Sequence, residues 1–451
     1  VKPRRSSTAR PVALAAALPV AALLLALLAA LSLAACGSSP RSTIGSTRAD
    51  TETRDHTAPQ HKDPFDSTPT LCAQIVAGAL GETGRRIYAE AQTGGIVAQA
   101  MQRIRASTAL ATAVSANDKA AAETTLRALL AGQIVRAEVL KGGTLFASVG
   151  SGSAIAPVRG TIGASGASFL LSTQAAQSYV DVTRQVTGAE VVLYQAGQRI
   201  AGTTAGPPPA SVRHDAPLSY AGRKYQAFSL AGTAYPSGPL RIVLLVPARS
   251  IRCPGSSTEA VVETLGHVGE RIYDEEAGSP YVRATLHRIE ADVAFQQAVA
   301  MRDTKAIRAA VVGLFGAHIH VVRVRAYAVE PSGAERFLYD LGGPYVLAPV
   351  HGIVRSGGKL VGRFSFAIQD DAGYLRLARL FTGADVLIRD GPRGEHQTIG
   401  TLDPGPATVP NRGPVSYHGK RYQAYSFLGD AFPSGPLRIS LLSRFRPPIE
   451  G

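Results

Sequence analysis

Three arginines, Arg323, Arg325 and Arg363, are the residues whose type and spacing in this 451-residue chain best suit ligand chemistry. Strand side chains alternate between faces, so Val322, Val324 and Ala326 share one face of their segment while Arg323, Arg325 and Tyr327 share the other. Phe364 and Phe366 oppose Arg363 and Ser365 in the same way. Guanidinium groups gathered on one face bind a carboxylate or phosphate bidentately. A loop from Tyr345 to His351 would stand at the mouth of such a pocket, and an imidazole there would add pH sensitivity. A solvated outer face is the other use of this pattern. An earlier segment carries Arg136 with Glu138, and Arg159 in the place of His351, so two pockets need not share a ligand.

The remaining chemistry is sparse. His318 and His320 would lie on one strand face, as a metal pair or as an ordinary edge pair, and no further matched ligands accompany them. Gln369-Asp370-Asp371 suits either ligand contact or an aspartate accepting backbone N–H groups at a helix start. The chain has no His-Glu-x-x-His, Gly-x-Ser-x-Gly, Cys-x-x-Cys or Gly-x-x-x-x-Gly-Lys motif. The expectation is a binding protein with no catalytic residues, metal or cofactor.

What must position these residues is a duplication. Pro217–Leu245 recurs as Pro414–Leu442, with Tyr-x-Gly, Tyr-Gln-Ala and Pro-Ser-Gly-Pro-Leu-Arg-Ile-x-Leu-Leu in order. Each copy reads as a strand, a turn at Pro-Ser-Gly-Pro and a buried return strand. Upstream, Gly84-Arg85-Arg86-Ile87-Tyr88 matches Gly269-Glu270-Arg271-Ile272-Tyr273 in amphipathic helical stretches, interrupted at Thr93-Gly94-Gly95 and at Gly278-Ser279-Pro280. Each repeat runs long helix, short helix, hairpin, loop, strand, helix, strand, hairpin. The spacing predicts two tandem α+β domains, at 72–252 and 253–446, each with an antiparallel sheet and helices packed on it.

The N-terminal end has Lys2, Arg4, Arg5 and Arg10 before an apolar run to Ala35, the pattern of a signal segment over 1–35. Leu33-Ala34-Ala35-Cys36-Gly37 resembles a bacterial lipobox, which implies lipidation of Cys36; an ordinary cysteine after an uncleaved anchor is the alternative. Residues 36–71 have no apolar periodicity and read as a disordered tether. Those four N-terminal cations belong to a formal charge of +14, and the other basic residues are scattered, which argues against a nucleic-acid partner. Cys72 and Cys253 bracket the first repeat; one disulfide between them would close it, and free or intermolecular thiols are the alternative.

The Gly-x-Phe-x-x-x-x-Gln, Thr-Gly-Ala-x-Val and closing Tyr-x-Gly-x-x-Tyr segments resemble the extracytoplasmic Cache family of PAS-like (PDC) sensor domains, over nearly all of Cys72–Leu442, taken twice. The resemblance implies a central antiparallel sheet, a long N-terminal helix on one face and a small-molecule pocket on the other. It departs from the receptors of that family in having no long apolar run after the signal. Each repeat carries its own helix set and reads as a single domain, not a double-lobed one. The expected function is a lipid-anchored, extracytoplasmic, ligand-binding sensory protein at the cell membrane. It would recognise a small, anionic molecule and act through a membrane signalling partner. An envelope scaffold or adhesion lipoprotein on the same fold is the alternative.

Overall fold

In a computed structural model of the protein the described residues are 69–130, 134–204, 215–252, 255–316, 321–343, 345–432 and 435–445. Cys36, the signal segment, most of the tether, His318, His320 and Cys253 lie outside them.

The first repeat opens with α1 (Pro69–Thr93), followed by α2 (Gly95–Ala106), α3 (Thr108–Ser115) and α4 (Lys119–Leu130), with α5 (Ala176–Thr187) after the first strands. The second repeats this order as α6 (Ser257–Gly278), α7 (Pro280–Glu290), α8 (Val293–Met301), α9 (Thr304–Gly316) and α10 (Asp371–Thr382). The sequence explains the breaks. Ser279 ends α6 and caps α7, accepting from Val282 N at 3.3 Å, with Pro280 in the first helical turn, where a missing N–H costs nothing. A capping box of Ser256 and Glu259 starts α6. The helical stretches after these breaks are divided again, by Ser107 and Asp292, whose side chains cap the following turn.

The fold is α+β, and all the ladders are antiparallel. One feature differs from the expectation of one central sheet per repeat: each repeat contains two main sheets. In the first repeat, four strands order as Thr144–Gly150, Arg136–Lys141, Ser168–Ser172 and Val158–Thr161, and five more from Glu190 to Pro247 form a separate sheet. In the second repeat the four-stranded sheet orders as Glu335–Gly342, Arg323–Val329, Lys359–Ala367 and Val350–Ser356. Each repeat is therefore double-lobed. Residue alternation reveals which face of a strand is buried but not which strands pair, so one sheet and two sheets read alike.

The long helix packs on the second sheet of its repeat, whereas the short helices cover the apolar face of the first. Beneath α8, Phe295 meets Phe364 edge-on at 5.7 Å, with Val299, Val324, Ala326 and Phe366 around them.

The repeated Gly-x-Arg-Ile-Tyr segment now has a physical reading. Gly84 and Gly269 let the helix approach the sheet: a Cβ would stand 3.3 Å from Leu244 and 2.9 Å from Leu441 respectively. Each glycine carbonyl accepts a hydroxyl at 2.9 Å, Gly84 from Tyr179 and Gly269 from Tyr374. Ile87 and Ile272 are core. Tyr88 accepts at its hydroxyl from Thr233 N at 2.7 Å, and Tyr273 does the same from Asp430 N at 2.7 Å, tying each helix to its closing hairpin.

The two repeats share one core. Helices α1 and α6 pack on each other, α5 lies against α6, and α10 lies against α1. Val76, Leu80 and Ile87 fall in the same buried cluster as Leu265, Val268 and Ile272. Each such aliphatic side chain contributes about 1.5–3 kcal/mol on full burial, so the halves hold one another. The arginine of each motif crosses this junction. Arg271 donates from Nη1 to the Thr187 carbonyl at the end of α5, at 2.7 Å. The Arg86 guanidinium lies against Gly383, the C-cap of α10.

Candidate functional site

The first sheet of the second repeat places one residue of each of its four strands in a single row. Arg325 lies opposite Asp340 on one side and Ser365 on the other, and Ser365 lies opposite His351. Strands are about 4.8 Å apart, so Arg325 and His351 stand about 10 Å apart, with Ser365 between them. The row belongs to the face turned away from α8 and α9, as alternation requires.

Arg323 occupies the next row on the same face. Its Nε and Nη2 donate to the two oxygens of Asp340 at 2.7 and 2.6 Å, and its Nη1 to the Gly343 carbonyl at 3.0 Å. Arg325 donates from Nε and Nη2 to Asp340 Oδ2 at 2.8 and 2.6 Å. Both guanidiniums also lie near the Phe432 ring, 5.2 and 5.8 Å from its centroid, and Arg325 lies 5.8 Å from that of Phe337. The Arg323 and Arg325 side chains are 12% and 21% exposed, and that of Asp340 is 16% exposed.

One carboxylate thus faces two guanidiniums in a mostly buried setting. Burial works to raise the Asp340 pKa, yet hydrogen bonds and charge from Arg323 and Arg325 outweigh it and hold the group below its ordinary range. The cluster carries a formal positive charge beside an open row of polar groups. His351 Nδ1 is 2.8 Å from Ser365 Oγ, and the histidine is exposed.

The structure brings some expected residues together and separates others. Arg323, Arg325 and His351 share one face with Ser365. Arg363 is on that face but toward the rim, 55% exposed, and pairs with Glu335 at 3.0 Å. Tyr345 is exposed just before the Val346–Leu347 strand. Arg323 is committed to Asp340 and backbone, so it positions the carboxylate. The expectation that this face lies opposite the long helix is corrected: that helix packs on the other sheet, and the short helices cover the apolar side of this one. Asp340 and Phe432 escaped the sequence reading.

In the first repeat the equivalent row is Ser148, Glu138, Leu170 and Arg159. Leu170 is buried and breaks the polar run, and Arg159 is exposed at its end. Arg136 pairs with Glu138 at 3.5 Å and stacks 4.9 Å from the Tyr235 ring centroid, so one cation meets one anion there.

Elsewhere, Asp370 is the N-cap of α10, accepting from Gly373 N at 2.7 Å, which is the helix-start role. Cys72 is disulfide-bonded, and its Sγ lies 3.7 Å from the carbonyl oxygen of Arg252. An open groove of about 640 Å³ lies between α7, α8 and α9, edged by Arg288, Asp292 and Gln297 and floored by alanines, apart from the arginine row. No group of three or more potential metal ligands occurs among the described residues. No helix among them is long and apolar enough to cross a membrane.

No protein-family model matches the chain, and no curated protein sequence matches it. Solved structures similar to it include the periplasmic domain of Vibrio cholerae LuxQ, at 9% identity over 40% of this chain and 100% of that one, with a TM-score of 0.24. An extracellular ligand-binding receptor from Desulfohalobium retbaense DSM5692 aligns at 12% identity over 51% of this chain and 47% of that one, with a TM-score of 0.25. The ligand-binding domain of the Pseudomonas fluorescens chemoreceptor CtaA, in complex with L-serine, aligns at 12% identity over 41% of this chain and 98% of that one, with a TM-score of 0.24.

Proposed function

We propose that this chain is a lipid-anchored, extracytoplasmic ligand-binding protein of sensory type. It recognises a small anionic molecule on the first sheet of its second repeat and passes its state to a membrane partner. One observation carries the reading: beside the Asp340–Arg325–Ser365–His351 row a single carboxylate, Asp340, faces two guanidiniums, Arg325 of the row and Arg323 of the next. A carboxylate or phosphate meeting Arg325 would complete the charge balance, with Ser365 and His351 at hydrogen-bonding positions across the row. Arg323 holds Asp340 in place. Arg363 at the rim would steer the anion inward. The first repeat, whose row is interrupted by Leu170, serves as the structural partner. Lipidation of Cys36 and a tether over 36–71 would place both repeats at the extracytoplasmic face of the membrane.

The test is a thermal-shift and calorimetric screen of the purified protein against carboxylates, amino acids and phosphates, repeated on Arg325→Gln and His351→Ala. A ligand whose affinity falls at least tenfold in Arg325→Gln supports the site. A ligand bound equally well by both variants would move recognition away from this row.

A further inference from the structure

The second sheet of the second repeat holds another pair of arginines, and among the described residues these have no carboxylate partner. Arg389 and Arg438 stand directly opposite one another on the neighbouring strands Asp385–Asp390 and Gly435–Arg444. They lie on the face turned away from α6, beside the outer cluster of Leu387, Val409, Val415 and Leu442. Arg389 is 6% exposed and Arg438 is half-buried.

Among the described residues only neutral oxygens meet their charge. Arg389 donates from Nη1 to the Ala407 carbonyl at 3.2 Å and from Nη2 to the Pro406 carbonyl. Arg438 donates from Nη2 to Asn411 Oδ1. Among the described residues neither forms an ion pair, and both Nε–H groups are buried without a hydrogen-bond partner. The Oε1 of Gln397, the residue opposite Arg389, is likewise buried without one. Gly394, at φ +71°, lies over both side chains; a Cβ there would be 3.3 Å from each Cδ. The Gly394 turn closes one side, and the Pro406–Asn411 segment forms the roof. Asn411 is exposed at the edge.

Two like charges brought together out of water repel one another, and an unpaired buried donor is rarely left so in a folded protein. Burial lowers both guanidinium pKa values, and for Arg389 the Arg438 charge adds to it. The first repeat avoids the problem by placing Tyr194 opposite Arg241. We infer that Arg389 and Arg438 form a second anion site, for a small oxyanion of the phosphate type. The anion enters beside Asn411, replaces its amide oxygen on Arg438 and accepts from the two Nε–H groups.

The experiment is thermal denaturation and calorimetry of the full chain with inorganic phosphate against chloride at matched ionic strength. Phosphate should raise the Tm by several degrees in the parent protein and in Arg325→Gln, but not in Arg438→Gln. Asn411→Ala removes the competing oxygen and should tighten phosphate binding several-fold; it decides the matter if Arg438→Gln fails to fold. No phosphate-specific shift in the parent overturns the proposal. So does a shift that survives Arg438→Gln and vanishes in Arg325→Gln, an outcome that instead places phosphate on the Asp340–Arg325 row.

Discussion

Arg271, in the long helix of the second repeat, donates from Nη1 to the carbonyl oxygen of Thr187, the last residue of a helix of the first, at 2.7 Å. A cation at a helix C-terminus meets both an unpaired carbonyl and the negative end of the helix dipole. The next residue, Gly188, is left-handed at φ +70°, and a Cβ there would stand 2.7 Å from the Arg271 guanidinium carbon. Arg86 stands in the same relation to Gly383 at φ +68°, with 2.6 Å from a Cβ to its nearest nitrogen. Arg271 thus caps a helix of the first repeat, and Arg86 packs against the matching glycine of the second.

Gly188→Ala and Gly383→Ala should each destabilise the whole protein. The left-handed backbone costs an alanine about 1–2 kcal/mol, and the displaced arginine adds to it. Thermal denaturation should show one cooperative transition lowered by several degrees. A lowered transition confined to one repeat would mean that the junction is not shared.

Asp340→Asn leaves two mostly buried guanidiniums without their anion, and should cost about 3 kcal/mol. It should also remove a pH dependence. The Asp340 pKa is depressed in the fold, so its stabilisation is full above the ordinary aspartate value of 3.8. It is lost as pH falls below that, because the unfolded chain takes up its proton first. Denaturant titrations between pH 5 and pH 2 should show a shallower acid loss in the variant than in the parent.

Glu276 gives the opposite sign. It is buried in α6, where the first repeat has Ala91. Burial, with the charges of Glu275 and Asp370, pushes its carboxyl up to about 8. From about pH 4.5 to 8 the unfolded chain ionises this group while the folded one keeps the proton, so stability should fall by up to about 1.4 kcal/mol per pH unit. Glu276→Gln should gain stability over the parent as pH rises to 8. Parallel stability curves for the two proteins would refute the assignment.

The Cys72 disulfide is expected to join Cys253, since the Cys72 sulfur lies 3.7 Å from the carbonyl of the preceding Arg252. Non-reducing peptide mapping should recover the 72–253 pair, and Cys253→Ser should cost about 2–5 kcal/mol. A Cys72 peptide linked elsewhere, or to a second chain, would refute the pairing.

Much of this was determined by the sequence itself. The duplication followed from matched residues, and the order of helices and strands followed from periodicity and from breaks at Gly94, Ser279 and Pro280. The arginine face followed from alternation, because a strand must send Val324 and Arg325 to opposite sides. What only the tertiary structure decided was pairing. Counting back from the Pro331-Ser332-Gly333 turn in a regular hairpin puts Tyr339 opposite Arg325. A register shift between Ala326 and Tyr327 leaves Leu338 unpaired, and Asp340 takes that place. One inserted residue changes the partner of every residue beyond it, and nothing local in the sequence marks it. Partition of the strands into two sheets, the Arg271–Thr187 cap and the Arg389–Arg438 pair are of the same kind. Each joins residues dozens of positions apart, and such contacts are set by how the whole core closes.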